Sequence, residues 1–271
     1  MLEFQVSKPT IFRDYLKILS VINEEPVLEF TPDGLNVVSM DPSHVTMIDF
    51  SLPREYFDKY TVDETTRIVL KLPDVLSVLK KLDKLDEQMS FIYEYDVQIK
   101  EIASTQEKEE IETTKIKVNE RVKLVLKSDI NREKTLLTLE PLEEEIPKPK
   151  IYFKSKTRML LSTFKRIIDD FKDSNHLTIK TDWDSITFSI NNDVANEVTS
   201  IDKSNCNILN HQVEEKSKAI YQIEHFPKMV TAISKVSEVV NLSISDDMPI
   251  LIDVELPQGS LQWFMAPCIG V

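Results

Sequence analysis

The alternation of apolar and polar positions divides the chain into strands and helices whose order runs through it twice. Residues 1–6 alternate as a strand does. Over 8–22, Ile11, Phe12, Tyr15, Leu16, Ile18, Leu19 and Ile22 recur at helical spacing. Pro9 suits the first turn of that helix, where an N–H has no partner to lose. Strands are predicted at 26–31, 35–40 and 45–52, with Pro32-Asp33-Gly34 as the first turn between them. A strand at 67–72 leads to a second helix over 73–85, buried through Val75, Leu76, Val78, Leu79 and Leu82. Strands at 89–95, 122–127 and 134–140 follow, and the charged stretch 101–120 reads as an exposed hairpin or loop.

The second half echoes this order. A helix is predicted over 156–171, strands at 177–181 and 185–190 about an Asp182-Trp183-Asp184 turn, and a fourth helix over 223–237. Strands at 240–245, 249–256 and 260–264 close the chain. The repeat lies in element order, since residue identity between the halves is low. Between them, Pro141-Leu142-Glu143-Glu144-Glu145-Ile146-Pro147-Lys148-Pro149 has the three prolines and the run of acids of an extended connector.

Composition narrows the function. The chain has 271 residues but only three glycines, Gly34, Gly259 and Gly270, so no glycine cluster is available to bring backbone N–H groups onto a phosphate. His44, His176, His211 and His225 are scattered without zinc-ligand spacing, and the pair Cys206 and His211 reads as coincidence. Nothing resembles a nucleophile with its base. A non-enzymatic protein without a cofactor is expected. Two cysteines fit a reducing compartment, no run approaches the ~20 apolar residues of a membrane span, and residues 1–6 lack a signal-peptide pattern. The expected location is intracellular.

Net charge is −13, which at first argues against nucleic acid as a ligand. The four predicted helices are nevertheless each net basic, through Arg13 and Lys17, Lys80, Lys81 and Lys84, Lys165, Arg166 and Lys172, and Lys228 and Lys235. The pairs Arg13/Lys17, Lys81/Lys84, Lys165/Lys172 and Lys228/Lys235 each fall on one helical stripe. Basic helices in an acidic chain suggest a shape that gathers the helices onto one surface facing a polyanion.

Two motifs sharpen this reading. Phe30-Thr31-Pro32-Asp33-Gly34-Leu35 with Ser39-Met40-Asp41-Pro42-Ser43-His44-Val45 closely resembles the first-domain signature of proliferating cell nuclear antigen, the DNA sliding clamp family, in its archaeal form. Met248-Pro249-Ile250 and Leu261-Gln262-Trp263-Phe264-Met265-Ala266-Pro267 resemble that family's closing segment. The resemblance implies an α+β fold of two similar clamp domains, 1–138 and 153–271, joined by a connector at 139–152. Each would set two inner helices against antiparallel sheets, and subunits would assemble into a pseudo-sixfold ring.

The implied function is a processivity factor that encircles double-stranded DNA without reading sequence and tethers polymerase, clamp loader, flap endonuclease and ligase. The alternative is a clamp-fold subunit of a heterotrimeric scaffold or checkpoint-type ring. A homotrimer is expected in preference to a heterotrimer, in the cytoplasm or nucleoid of an archaeon or the nucleus of a eukaryote. Edge strands at 133–140 and 194–201 would pair between subunits. The family's partner-peptide pocket, carried over by position, implies Met40, His44, Val45, Ile146, Pro249, Phe264, Ala266 and Pro267. The chain departs from the family in its uncharged end, Cys268-Ile269-Gly270-Val271, in acids at Asp169 and Glu224, and in a stretch from 96 to 127 longer than the pattern requires.

Overall fold

The computed structural model describes every residue except 83–87, 103–111, 128–129, 142–145, 192–195 and 270–271, with backbone alone at 100–102 and 112–114. The first half runs β1 (Leu2–Val6), α1 (Pro9–Ile22), β2 (Val27–Thr31), β3 (Gly34–Met40), β4 (Thr46–Pro53), β5 (Lys59–Val62), β6 (Thr66–Val69), α2 (Leu72–Leu79), β7 (Gln88–Ile102), β8 (Glu112–Lys127) and β9 (Arg132–Leu137). The second half runs β10 (Ser155–Leu160), α3 (Leu161–Phe171), β11 (His176–Thr181), β12 (Ser185–Asn191), β13 (Asn196–Asp202), β14 (Ile208–Val213), β15 (Ser217–Gln222), α4 (Phe226–Ile233), β16 (Val239–Ile244), β17 (Ile250–Val254) and β18 (Ser260–Met265). Among the described residues each half is one strand, a helix, five strands, a helix and three strands.

Pairing repeats as well. In the first half β5-β1-β7-β8-β9 form one sheet, and β6-β2-β3-β4 form a second layer; β14-β10-β16-β17-β18 and β15-β11-β12-β13 are their counterparts. β18 pairs with β4 from Ser260↔Ser51 to Met265↔Thr46, so two of these sheets fuse into one of nine strands. The helices form a row, α2 against α1, α1 against α4 and α4 against α3, and pack on one face of that sheet. Tyr15 of α1 meets Phe50 of β4 with ring centroids 5.5 Å apart, and Phe226 of α4 meets Trp263 of β18 at 5.4 Å. One continuous apolar core results, with Phe4, Phe30, Phe50, Phe164, Phe188, Phe226 and Trp263 all essentially inaccessible to solvent.

Three predicted helices differ in extent. Residues 155–160 are strand β10, and the helix begins only at Leu161. Ser155, Thr157 and Met159 are buried there while Lys156 is exposed, a period of two that its polar buried members conceal. α2 ends at Leu79, yet Leu82 stays buried, so the apolar spacing outlasts the helix; the predicted end at 85 lies outside the described residues. Ile223–His225 form a 3-10 turn and α4 starts at Phe226, with Pro227 in its first turn. β7 and β8 extend into the charged stretch from both sides and pair with each other as far as Ile102 and Glu112, and the residues between lie outside those described. Gly34 at φ +146° sits where an added Cβ would come within 2.1 Å of the Leu52 carbonyl oxygen. That turn therefore needs glycine.

Candidate partner groove and helix face

On the face away from the helices, strand alternation brings outward side chains of separate strands into rows. Met40 is registered with Met47, Met47 with Phe264, and Phe264 with Leu251, an apolar row across β3, β4, β18 and β17. The next row is Val38, Asp49, Gln262 and Asp253, and is mostly polar. The chain after β9 crosses this face. Leu139 N–H donates to the Val69 carbonyl at 2.9 Å, and Lys148 forms an ion pair with Asp49 at 2.6 Å.

Between this connector and the sheet lies a groove of about 500 Å³, lined among others by Val27, Val38, Met40, Val69, Leu139 and Ile146. His44 lines it too, together with Asp41 and the pair Arg67–Glu29, whose charged atoms lie 3.1 Å apart. His44 has φ 57°, a left-handed conformation stabilised by the Asp41 turn around it. His44 N–H donates to the Asp41 carbonyl at 2.9 Å. Burial alone would raise the pKa of the Asp41 carboxyl. Hydrogen bonds from Ser43 and Thr46 outweigh that and hold it below the ordinary carboxylate value.

Of the pocket residues expected from the resemblance, Met40, His44 and Ile146 are thus brought together. Val45, Pro249, Phe264, Ala266 and Pro267 do not line the groove. Val45, Ala266 and Phe264 are tied to its neighbourhood through the ladder: Ala266 N–H donates to the Val45 carbonyl at 2.9 Å, and Phe264 reaches Met40 across Met47. Sequence reading missed Val38, Met47, Val69, Leu139 and Leu251. For Val38, Met47 and Leu251 the signal is an apolar residue at the outward parity of a strand whose inward parity is already apolar.

On the helix face the expected cations divide into two groups. Asp14 accepts from both Arg13 and Lys17, at 3.2 and 2.9 Å, and Asp169 pairs with Lys165 at 2.7 Å. Lys80, Lys81, Arg166, Lys172, Lys228 and Lys235 are exposed and make no ion pair with any described residue. Lys80 and Lys81 follow α2, Lys172 follows α3, and Lys235 follows α4, where positive charge meets the helix C-terminus. Lys84 lies outside the described residues. The bodies of the helices are consequently less basic than the sequence suggests: α3 sets Lys165 and Arg166 against Asp169 and Asp170 and is neutral.

His211 is a structural bridge. Its Nε2–H donates to the Asp182 carbonyl at 2.7 Å, so Nδ1 accepts from the Thr157 hydroxyl at 2.9 Å, and neither nitrogen is left for Cys206. Among the described residues no three His, Cys, Asp or Glu side chains converge as a metal site, and no helix is long and apolar enough to cross a membrane.

Two copies of one strand-and-helix frame, a shared helix row and a groove beneath the connector define a clamp-type α+β fold. The family described as "Proliferating cell nuclear antigen, N-terminal domain" matches residues 1–120. DNA polymerase sliding clamp 3 of Sulfurisphaera tokodaii is 26% identical, covering 94% of this chain and 95% of the relative. DNA polymerase sliding clamp 3 of Aeropyrum pernix is also 26% identical, over 98% of both. The crystal structure of the PCNA2–PCNA3 complex from Sulfolobus tokodaii superposes with a TM-score of 0.80 at 25% identity over 98% of each chain. By the family model over its first 120 residues and by relatives along nearly its whole length, the chain is similar to the DNA sliding clamps, in their archaeal proliferating cell nuclear antigen form. Proteins of that family are non-enzymatic scaffolds.

Proposed function

We propose that the chain is one subunit of a three-membered ring that encircles duplex DNA with its helix row inward and holds replication proteins by a peptide in the outer groove. The observation that carries this reading is the β4–β18 seam. Its counterparts by the internal repeat, β13 and β9, are the edge strands of their sheets, each with a row of unpaired backbone groups. Partners of other subunits would close those edges as β4 and β18 close each other.

The repeat also supports a register. The ladder partners Phe91–Leu124–Lys134 correspond to Leu242–Ile252–Trp263, and Leu35–Leu52 to Ile186–Ile201. Ile48 pairs with Trp263 in the seam, so Glu197 of one subunit would oppose Lys134 of the next. Exposed cations on the inner face would touch phosphates without reading bases, and topology would supply retention. The test is retention after loading by a clamp loader: the ring should stay on a closed DNA circle and run off once the circle is cut. Equal loss from both would overturn it.

A second reading, a specialised member of a heteromeric ring, is favoured by relatives numbered clamp 3 and by the solved complex of two paralogues. Native mass separates the two. The chain alone should be a trimer in the first case, and a monomer that assembles only with other clamp subunits in the second.

A further inference from the structure

β7 and β8 outrun their neighbours. β1 pairs with β7 only over Met89–Tyr93, and β9 pairs with β8 only over Arg121–Leu126. Beyond that, Asp96 to Ile102 and Glu112 to Val118 continue as a ribbon of two strands with no described strand on either backbone edge. A register shift between Glu94 and Asp96, with Asn119 at φ 51°, marks a bulge at its base. Two strands alone are marginal in water, and an open edge invites another strand.

The edge on the β8 side has a specific chemistry. Lys115, Ile116, Lys117 and Val118 alternate, so lysines project on one face and apolar side chains on the other. The lysine face also carries Val97, registered with Lys117, and Ile99, registered with Lys115; these are 54% and 69% exposed. Lys117 is held in place, its Nζ 4.7 Å from the centre of the Tyr95 ring and 3.4 Å from Glu64.

This edge begins at the groove. The Glu120 carbonyl accepts from Thr138 N–H at 3.1 Å, and the next residue, Leu139, turns away to Val69 and forms part of the groove wall. The chain thereby vacates the β8 edge where the ribbon starts.

We propose that the free β8 edge of this ribbon is a second docking surface, on which a client seated in the groove lays an extended segment of alternating acidic and apolar residues as an added strand. Main-chain hydrogen bonds supply affinity, carboxylates meet Lys115 and Lys117, and apolar side chains meet Ile116 and Val118 on the other face. The proposal rests on the groove being the peptide site.

The test uses the full chain and three synthetic peptides in calorimetric titration: a clamp-binding motif alone, the motif linked to a valine–glutamate repeat, and the motif linked to a valine–lysine repeat. The glutamate tail should tighten binding about tenfold through its high effective concentration near the ribbon. The double variant Lys115→Glu/Lys117→Glu should bind the motif alone as the wild type does, lose that gain, and prefer the lysine tail. A tail that adds nothing, a gain that survives the reversal, or equal gain from both tails overturns the proposal. So does a change in native mass on reversal without peptide, which would make the edge a contact between copies. Failure of the motif alone to bind counts against the groove instead. The glutamate tail titrated by itself then still reads the ribbon, and the lysine reversal must abolish what it binds.

Discussion

The two halves share one frame and end differently. In the seam, Ile48 and Trp263 sit opposite each other on β4 and β18, and Trp263 is 1% exposed against Phe226. At the corresponding edge positions stand Glu197 and Lys134, both exposed. The apolar pair belongs to a junction sealed within one chain and never opened. In the proposed ring the charged pair belongs to edges that remain soluble alone and recognise a partner on meeting it. A second difference is length: β16 and β17 have 6 and 5 residues, whereas β7 and β8 have 15 and 16. The shorter pair is covered along its whole length by neighbouring strands, and the longer pair leaves the sheet.

The largest effect that tests this comparison is loss of the seam. Trp263→Ala should destabilise the subunit by about 3–5 kcal/mol in denaturant unfolding, while Lys134→Ala changes it by no more than about 0.5 kcal/mol. Similar losses would break the comparison. Next, Ile146→Glu should abolish binding of a clamp-binding peptide by placing a carboxylate in the groove wall, at a cost of about 2 kcal/mol or more. Native mass should not change, and equal peptide affinity by calorimetry would remove Ile146 from the site.

The helix face compares the halves directly. Reversing Lys80 and Lys81 to Glu in the first half, or Lys228 and Lys235 in the second, should weaken DNA retention and flatten its salt dependence alike on any DNA sequence. Reversing Lys165, whose charge Asp169 already offsets, should do less. Wild-type retention by both double variants across a salt series would show that the helices do not face DNA.

A smaller change is expected at the open edge. Thr138, the obvious position for a blocking proline within 133–140, already donates its N–H to Glu120 inside the chain. N–H groups alternate along an antiparallel strand, so that of Thr135 points to the open side. Thr135→Pro should cost each interface about one hydrogen bond, roughly 0.5–1.5 kcal/mol, and raise the dissociation constant in sedimentation with monomer stability kept. The smallest effect concerns Asp41, whose lowered pKa stabilises the fold above the ordinary carboxylate range and stops doing so as pH falls through the folded value. Asp41→Asn should therefore be less stable than the wild type at neutral pH by about 1 kcal/mol, and the gap should close on acidification. A constant gap would assign the effect to shape rather than charge.

Most of the frame was legible in the chain because its buried residues recur at a period that a helix or strand must satisfy. α1, β3, β4 and β18 lie within a residue or two of their predicted ends. β10 was misread because Ser155 and Thr157 are buried polar residues, so hydropathy alone could not show their period of two. The helix charges were overstated for the same reason, since Lys156 and Arg158 belong to that strand and Arg158 pairs with Glu255 at 2.7 Å. For the groove, Met40, His44 and Ile146 followed from the family motif, whereas Met47, Leu251 and Leu139 did not.

What the amino-acid order determined by itself is everything that depends on neighbours within a few positions: the helices, the turns at Gly34 and Asp41, the extended connector and the doubled element order. What only the tertiary structure decided is which remote residues share a surface. Met40, Met47, Phe264 and Leu251 form one row because three ladders set their register, and a ladder joins residues more than 200 positions apart as readily as adjacent ones. Whether a strand edge is sealed or left open is likewise a property of the sheet, since its own residues carry the same backbone donors and acceptors in either case.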